Sequence, residues 1–379
     1  MTKSVVMAES SDIYHDYRVQ KEAGTLAGNG WRVTVYGFRG SRQRPQAPSS
    51  AYEVRTLPVV SRSSRLLRNL SMIANIGLIN LRLLLTRADA YHAHNTMFLG
   101  GMWLSARLHR GVFIYDAHEV QWEQGRSLAW LEKRFIRRAD GIINVAAGRA
   151  RAMAERYGLR EEDITIVANY PVVDRGAALR PYAAPVGTVR LVYSGGYDLQ
   201  SNRLDLLLRA MQRVPGIDLH MIAFGYRDSE MQLKTLANEL GIEERVVFHG
   251  LVRPDEVMGA VAQYDVAVNM LTNPQDHLSI RHSSVNKMYE YMAAGMPTFC
   301  SNLDSFVDEF VVPGAAIAVD ATDTNSIAEG LRKFLSLRDS LPQMSARAHD
   351  LAREKYNWRS QEINLLDLYR RLIGEGARP

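Results

Sequence analysis

A chain of 379 residues exceeds what one ordinary hydrophobic core supports and suits two domains. Apolar residues make up 46% and charged residues 23%, the balance of a globular protein and not of a disordered one. The single cysteine, Cys300, excludes an internal disulfide and points to a reducing cytoplasm, while a net charge of +5 suits anionic partners such as nucleotide phosphates, anionic lipid or nucleic acid.

In chain order, Ser4–Met7 reads as a strand, and the polar residues that follow it are unlike a secretory leader. Tyr14–Ala27 reads as a helix closed by Gly28 or Gly30, and Arg32–Tyr36 (RVTVY) as a β-rich alternating run. The apolar tract from Leu66 to Leu85 is broken by Arg68, Asn69, Asn75, Asn80 and Arg82, which makes it a poor spanning helix, since spanning needs about 20 nearly uncharged apolar residues. Short strands at Ala90–His92, Val112–Tyr115 and Gly141–Asn144 each precede a helical stretch, the pattern of a parallel sheet covered on both faces. Ile164–Val167 is a further strand. Residues 172–188, rich in Pro, Ala and Gly, read as an interdomain linker.

The pattern then begins again. Val189–Tyr193 is a strand followed by Ser194, Gly195 and Gly196, and a helix runs from about Arg203 to Val214. Strands follow at Asp218–Ala223, Val246–Phe248, Val266–Asn269 and Pro297–Cys300, with helices at Glu230–Leu240 and Lys287–Ala294 and a last helix over Trp358–Ile373. The expected fold class is therefore α/β, with domains at 1–171 and 189–357 and no short repeat or heptad run.

The strongest local signal is HSSVNKMYEYMAAGMPTFCSN, His282–Asn302: loop, helix, Gly-Met-Pro turn, strand. Ser283, Ser284 and Asn286 fall at or before the helix start, where outward backbone N–H groups suit a phosphate. Lys287 sits one turn in, where it adds positive charge, and Glu290 lies three residues on, able to accept two hydroxyl hydrogen bonds. Alternatively the two form an ordinary surface pair, worth about 0.3–0.5 kcal/mol.

This segment resembles the GT-B glycosyltransferases, and among them the retaining, family 4-like enzymes. Asn286, Lys287, Met288, Tyr289, Glu290, Tyr291, Met292, Ala293, Ala294, Gly295 and Pro297 match a long ungapped motif, with Val285 where proline is usual. The runs His15–Phe38, His92–Asn95 (HAHN), Tyr115–Glu119 (YDAHE) and Met221–Val268 are similar to the same family, as is the helix from Trp358 that packs back on the N-terminal domain.

The resemblance implies two Rossmann-like domains facing each other across a cleft, an N-terminal acceptor domain and a C-terminal donor domain. The donor would be a nucleotide-diphosphate sugar, UDP or GDP first, moved with retention to a sugar or lipid-linked sugar in polysaccharide or glycoconjugate assembly. Glu290 would hold the ribose hydroxyls. Lys287 would meet the diphosphate with Arg203, and Gly195 and Gly196 would let backbone approach it. The loop after Gly250 would hold the base, and His118 would face the transferred sugar. His282 stands where the family has a second glutamate and carries no fixed charge. The segment Ala8–Asp12, with Asp12 an acceptor-side candidate, lacks the glycines usual in that loop. His92 and His94 are read as alternate faces of a strand end, with His94 the one turned to the acceptor. No metal and no separate cofactor is expected, since Asp304, Asp308 and Glu309 form no cluster near the phosphate position. An inverting route would need Asp116 or Glu119 as base.

From Ser61 to Arg87 the chain carries Arg62, Arg65, Arg68, Arg82 and Arg87 with no acidic residue, between leucines and isoleucines. That reads either as a helix packed on the sheet or as a peripheral contact with the anionic inner face of a membrane. Nucleic acid is not expected, since no recognised module appears. An oxidoreductase with paired Rossmann domains lacks its Gly-x-Gly-x-x-Gly after a strand. A catalytically inactive scaffold on the same fold is the remaining alternative.

Overall fold

The computed structural model describes residues 2–39, 51–59, 65–173, 182–224, 227–250, 252, 256–273, 275–282 and 285–374; of 65, 66, 223, 224 and 227 only the backbone is described. The chain divides into two compact units, Met1–Asn169 with Gln361–Pro379, and Tyr170–Ser360.

The first unit holds a seven-stranded sheet of β1 (Ser4–Asp12), β2 (Arg32–Arg39), β3 (Glu53–Pro58), β4 (Ala90–Ala93), β5 (Val112–Ala117), β6 (Gly141–Asn144) and β7 (Ile164–Ile166). The order is β3-β2-β1-β4-β5-β6-β7, parallel throughout. Val5, Val6, Met7 and Ala8 are all buried, as a strand covered on both faces requires. The segment Ala8–Asp12, read above as a loop, continues β1: the register slips between Ala8↔Tyr36 and Asp12↔Phe38, so four steps on β1 oppose two on β2. Such a bulge re-aims side chains beside a site, and here it carries Glu9.

The second unit holds a six-stranded sheet of β8 (Val189–Gly196), β9 (Ile217–Phe224), β10 (Val246–Phe248), β11 (Val266–Asn269), β12 (Thr298–Ser301) and β13 (Ala316–Val319). The order is β10-β9-β8-β11-β12-β13, again parallel throughout. Its two faces are separate cores. Leu191 and Tyr193 pack with the Leu204–Gln212 and Thr324–Ser336 helices, whereas Val192 packs with the Asn286–Ala293 and Leu341–Glu354 helices. Both units are thus Rossmann-like. In each, the strand order reverses beside the first strand, between β1 and β4 and between β8 and β11. Ligands of open parallel sheets bind at the carboxyl ends of the strands at such a point.

The helix Trp358–Ile373 starts with Trp358 N donating to Pro171 O at 2.8 Å. From Gln361 onward it belongs to the first unit: Gln361 Oε1 accepts from Ala168 N at 2.8 Å and Asn364 donates to Ile166 O at 2.9 Å. Of the expected linker, residues 174–181 lie outside the described residues, and Tyr182 donates to Asp265 O at 2.6 Å.

Candidate functional site

In the second unit the site grows from the Asn286–Ala293 helix. Met288, Tyr289, Tyr291 and Met292 are buried in the core, which turns Asn286, Lys287 and Glu290 to the other side. Tyr291 fixes the helix on the sheet, its Oη accepting from Ser194 N at 2.8 Å and Ser194 Oγ at 3.0 Å. That places Lys287, one turn earlier, at the end of β8. Its Nζ donates to Tyr193 Oη at 3.0 Å and lies 4.2 Å from that ring's centroid. Tyr193 Oη in turn donates to Gly196 O at 2.7 Å.

Gly195 is at φ +124°, and a Cβ there would stand 3.1 Å from Lys287 Nζ, so the close approach needs glycine. Lys287 keeps some exposed surface, yet burial of its ammonium lowers its pKa to about 8 against the opposing pull of Glu290. The ammonium is held by Tyr193, with Glu290 acting on it as a nearby opposite charge. Val285, at the helix cap, makes no side-chain cap bond, and its carbonyl accepts from Met288 N at 3.0 Å. Ser283 and Ser284 lie outside the described residues.

Arg203 does not join Lys287. Its guanidinium grips Asp205 through two contacts of 3.0 Å and lines a separate groove of about 530 Å3 with Leu199, Gln200 and Leu236. A neighbouring carboxylate two residues along competes for the cation, which motif spacing does not reveal. His282 ends the short helix Leu278–Arg281 and is half-buried, and Gly250, at φ +75°, closes β10 on an exposed turn.

In the first unit the strand ends meet in a buried polar cluster. Arg18, from the Tyr17–Gly28 helix, reaches Asp116 with Nη2 at 3.0 and 2.8 Å and Nε at 3.1 Å, and donates through Nη1 to Val167 O at 2.6 Å. Glu22, one turn on, lies 3.1 Å from Arg18 Nη2. Arg18 is 5% exposed, while Glu22, His92 and Asp116 are wholly buried.

His92 and His94 are not on alternate faces. Residues two apart in a strand share a face, and the two rings stack with centroids 4.1 Å apart. His94 Nδ1 lies 3.3 Å from Asp116 Oδ2 and 3.2 Å from His118 Nε2, and His92 Nδ1 lies 2.8 Å from Tyr369 Oη.

His118 is the cluster's opening to solvent, 19% exposed, with Nε2 2.9 Å from Asp116 Oδ2, 3.0 Å from Arg18 Nε, and Nδ1 3.9 Å from Glu9 Oε2. Burial opposes a charge on His118, but Asp116 outweighs it and pushes the pKa up to about 9. Burial alone would raise Asp116, yet Arg18 and His118 hold it well below the usual range. Burial raises Glu9 to about 7 and Glu22 to about 8. Asp116 is wholly buried and gripped on both oxygens by Arg18. Glu119 is exposed on the following turn, and Asp12 caps the turn Ile13–His15 by accepting from Tyr14 N at 3.2 Å. Arg18, Glu22, Glu9 and Tyr193 escaped the sequence reading; the His-x-His spacing and the Arg18/Glu22 one-turn pair were the available signals.

Two parallel Rossmann-like units, one with a lysine at a helix start beside a glycine-ended strand, define a GT-B glycosyltransferase. The comparisons agree: residues 18–170 match the model of Glycosyltransferase Family 4 and residues 182–351 that of Glycosyl transferases group 1. The chain belongs to this family and is a glycosyltransferase.

Among solved structures it is similar to a sucrose-phosphate synthase from Thermosynechococcus elongatus (TM-score 0.77, 14% identity, 98% of this chain and 99% of that one). It is also similar to HepE of Anabaena in complex with UDP and glucose (TM-score 0.72, 14%, 98% and 100%). WaaG, a glycosyltransferase involved in lipopolysaccharide biosynthesis, aligns at TM-score 0.67 and 16% identity over 98% and 100%. No curated protein sequence matches the chain.

Proposed function

We propose that this glycosyltransferase moves a sugar from a nucleotide-diphosphate donor, UDP-linked first, to an acceptor hydroxyl with retention. The observation that carries the reading is Lys287, its ammonium held on Tyr193 against the Cα of Gly195, at the first turn of a helix without a side-chain cap. A cation, the positive end of a helix and a strand end without a Cβ form a site for a diphosphate. Glu290, one turn on, takes the ribose hydroxyls, and Gly250 brings backbone to the base. Structures of HepE with UDP and with UDP-glucose support UDP over GDP.

As the glycosidic bond breaks, Lys287 and the helix N–H groups neutralise the leaving β-phosphate, a preorganised electrostatic role. The leaving phosphate accepts the acceptor's proton, so no side-chain nucleophile is needed. The first unit serves the acceptor through His118, a hydrogen-bond donor that stays charged at neutral pH. A sugar or lipid-linked sugar suits that role. Inversion would call for a base, and with Asp116 enclosed only Glu119 is placed for it among the two candidates.

The helix Arg65–Leu85 exposes Leu67, Leu70, Ile73, Leu81 and Leu85 alongside Arg68 and Arg82, while Ile79 and Leu83 are buried. This face rests on the anionic inner surface of the membrane. No helix among the described residues is long and apolar enough to cross one. The test is a thermal-shift screen against UDP-, GDP-, dTDP- and ADP-sugars. A donor at 100 times its dissociation constant stabilises by about 2.7 kcal/mol. A shift with one donor that is lost in Glu290→Ala supports the reading, and no shift with any donor removes it. The anomer of the product then separates retention from inversion.

A further inference from the structure

The buried cluster of the first unit holds an arrangement that sugar transfer does not use. His92 Nε2, His94 Nε2 and both carboxylate oxygens of Glu22 have no hydrogen-bond partner, and all three side chains are enclosed. They point at one another: His92 Nε2 is 3.8 Å and His94 Nε2 4.0 Å from Glu22 Oε2, and with a carboxylate oxygen of Asp116 the set lies within 4.8 Å. Arg18 meets Glu22 Oε1, which leaves Glu22 Oε2 and the two Nε2 atoms unpaired around one point; burying them so is costly, and one bound group relieves all three.

The outer contacts select a cation. His92 Nδ1 meets Tyr369 Oη at 2.8 Å, and His94 Nδ1 meets Asp116 Oδ2 at 3.3 Å. A proton on each Nδ1 leaves both Nε2 lone pairs facing inward. A metal-bound histidine makes the same use of its second nitrogen, tied to an oxygen partner that fixes tautomer and ring orientation. The rings come from one strand at i and i+2 and share a face of it, so a turn of each ring about its side-chain bonds brings both Nε2 atoms to one ligand. The guanidinium of Arg18 sits on Glu22 Oε1 and Asp116 and leaves Glu22 Oε2 facing the imidazoles.

We propose that the first unit binds one divalent transition metal, zinc by its ligand chemistry, through His92 Nε2, His94 Nε2 and Glu22 Oε2, with Asp116 holding His94 from outside. Two imidazoles and a carboxylate form a zinc set, with bonds of about 2.0–2.2 Å. Closing the site onto such an ion draws the ligand atoms together by a fraction of an ångström. The site is enclosed within the first unit, so the metal is taken up as the chain folds. This departs from the sequence reading, which expected no metal, and it stands independently of the donor assignment.

The test is metal content. The full chain, produced without a histidine tag in zinc-supplemented medium, is measured by mass spectrometry after exhaustive dialysis. About one zinc per chain is expected, falling to less than about a tenth in Glu22→Gln and in His92→Asn. To keep the test independent of either variant's folding, the wild type carries a second readout: refolded with Co2+ it should show the visible absorption of a tetrahedral site, and zinc should compete that absorption away. Wild-type protein with less than about a tenth of an equivalent and no cobalt band overturns the proposal, as does full zinc occupancy in a folded Glu22→Gln protein.

Discussion

Lys287 Nζ and Tyr193 Oη are 3.0 Å apart, with the ammonium also 4.2 Å from the tyrosine ring centroid. The lysine comes from a helix and the tyrosine from a strand, so the charge is aimed by two rigid elements and not by a mobile side chain. Tyr193 is itself tied to Gly196 O at 2.7 Å. A cation placed in this way loses little entropy when an anion arrives, which is the condition for strong electrostatic stabilisation.

Replacing Lys287 by Ala should therefore lower kcat by about 10²–10³, the cost of removing one preorganised charge-stabilising group, with little change in thermal midpoint. Burial holds the Lys287 pKa at about 8. Donor affinity should fall as pH rises through 8, and that limb should vanish in Lys287→Ala. A Gly195→Ala change should act on the same charge from the other side. Its Cβ would stand 3.1 Å from Nζ at φ +124°, so strain of about 1–3 kcal/mol should accompany weakened donor binding. Wild-type turnover and affinity in both variants would show that the phosphate lies elsewhere.

Arg18 should be the most sensitive residue of the first unit. It is 5% exposed and pairs with Asp116 and Glu22, both wholly buried. Arg18→Met removes the cation and strands two carboxylates, and breaking a buried pair in this way costs about 3–5 kcal/mol. Denaturant unfolding of the variant measures it. A loss below about 1 kcal/mol would mean that the carboxylates find other partners or protonate at little cost.

The repeated strand–helix pattern was legible because each strand is short and apolar and each helix carries a periodic face. The two strands that the pattern missed, β3 and β13, are edge strands. Glu53–Pro58 is half-exposed and mixes Glu, Arg and Pro with its apolar residues, and Ala316–Val319 is four residues of small side chains. Lys287 stood out because the motif that carries it is one unbroken run, while its partner Tyr193, 94 residues away, did not. The Arg18–Asp116 pair did not, because 98 residues separate its members and only the sheet order brings them together. Arg203, which the resemblance set beside the diphosphate, pairs with Asp205 two residues on, a contact that the motif does not carry.

Stability should fall as pH rises from mildly acidic to alkaline. Burial raises Glu9 from 4.5 to about 7, so the folded protein keeps a proton there that the unfolded chain releases, and stability is lost as pH climbs through that window. His118 acts in the same direction: Asp116 outweighs burial and raises it to about 9, so its contribution is full below its unfolded value and disappears as pH rises through 9. Glu9→Gln should remove the first window, converging with wild type near pH 4.5 and exceeding it by ~2–3 kcal/mol at pH 8. Parallel unfolding curves for the two proteins across this range would show that Glu9 titrates as a solvated carboxylate.

The Arg65–Leu85 helix makes the membrane contact testable apart from catalysis. Leu70 is 52% and Ile73 66% exposed, so a Leu70→Glu, Ile73→Glu double variant should fold with a change near the surface norm of about 0.5 kcal/mol. Each side chain buried in an apolar layer is worth about 1.5–3 kcal/mol, and each arginine beside an anionic surface about 1 kcal/mol. The double change should thus cut partition into anionic vesicles by more than about tenfold. Co-sedimentation with anionic and with neutral vesicles, at low and high salt, reads this directly. Binding that weakens with salt and is lost in the variant assigns both the apolar face and Arg68 and Arg82 to the contact. Wild-type protein that ignores anionic vesicles at low salt would leave the exposed leucines as a face for another protein, while the donor site in the second unit would stand unaffected.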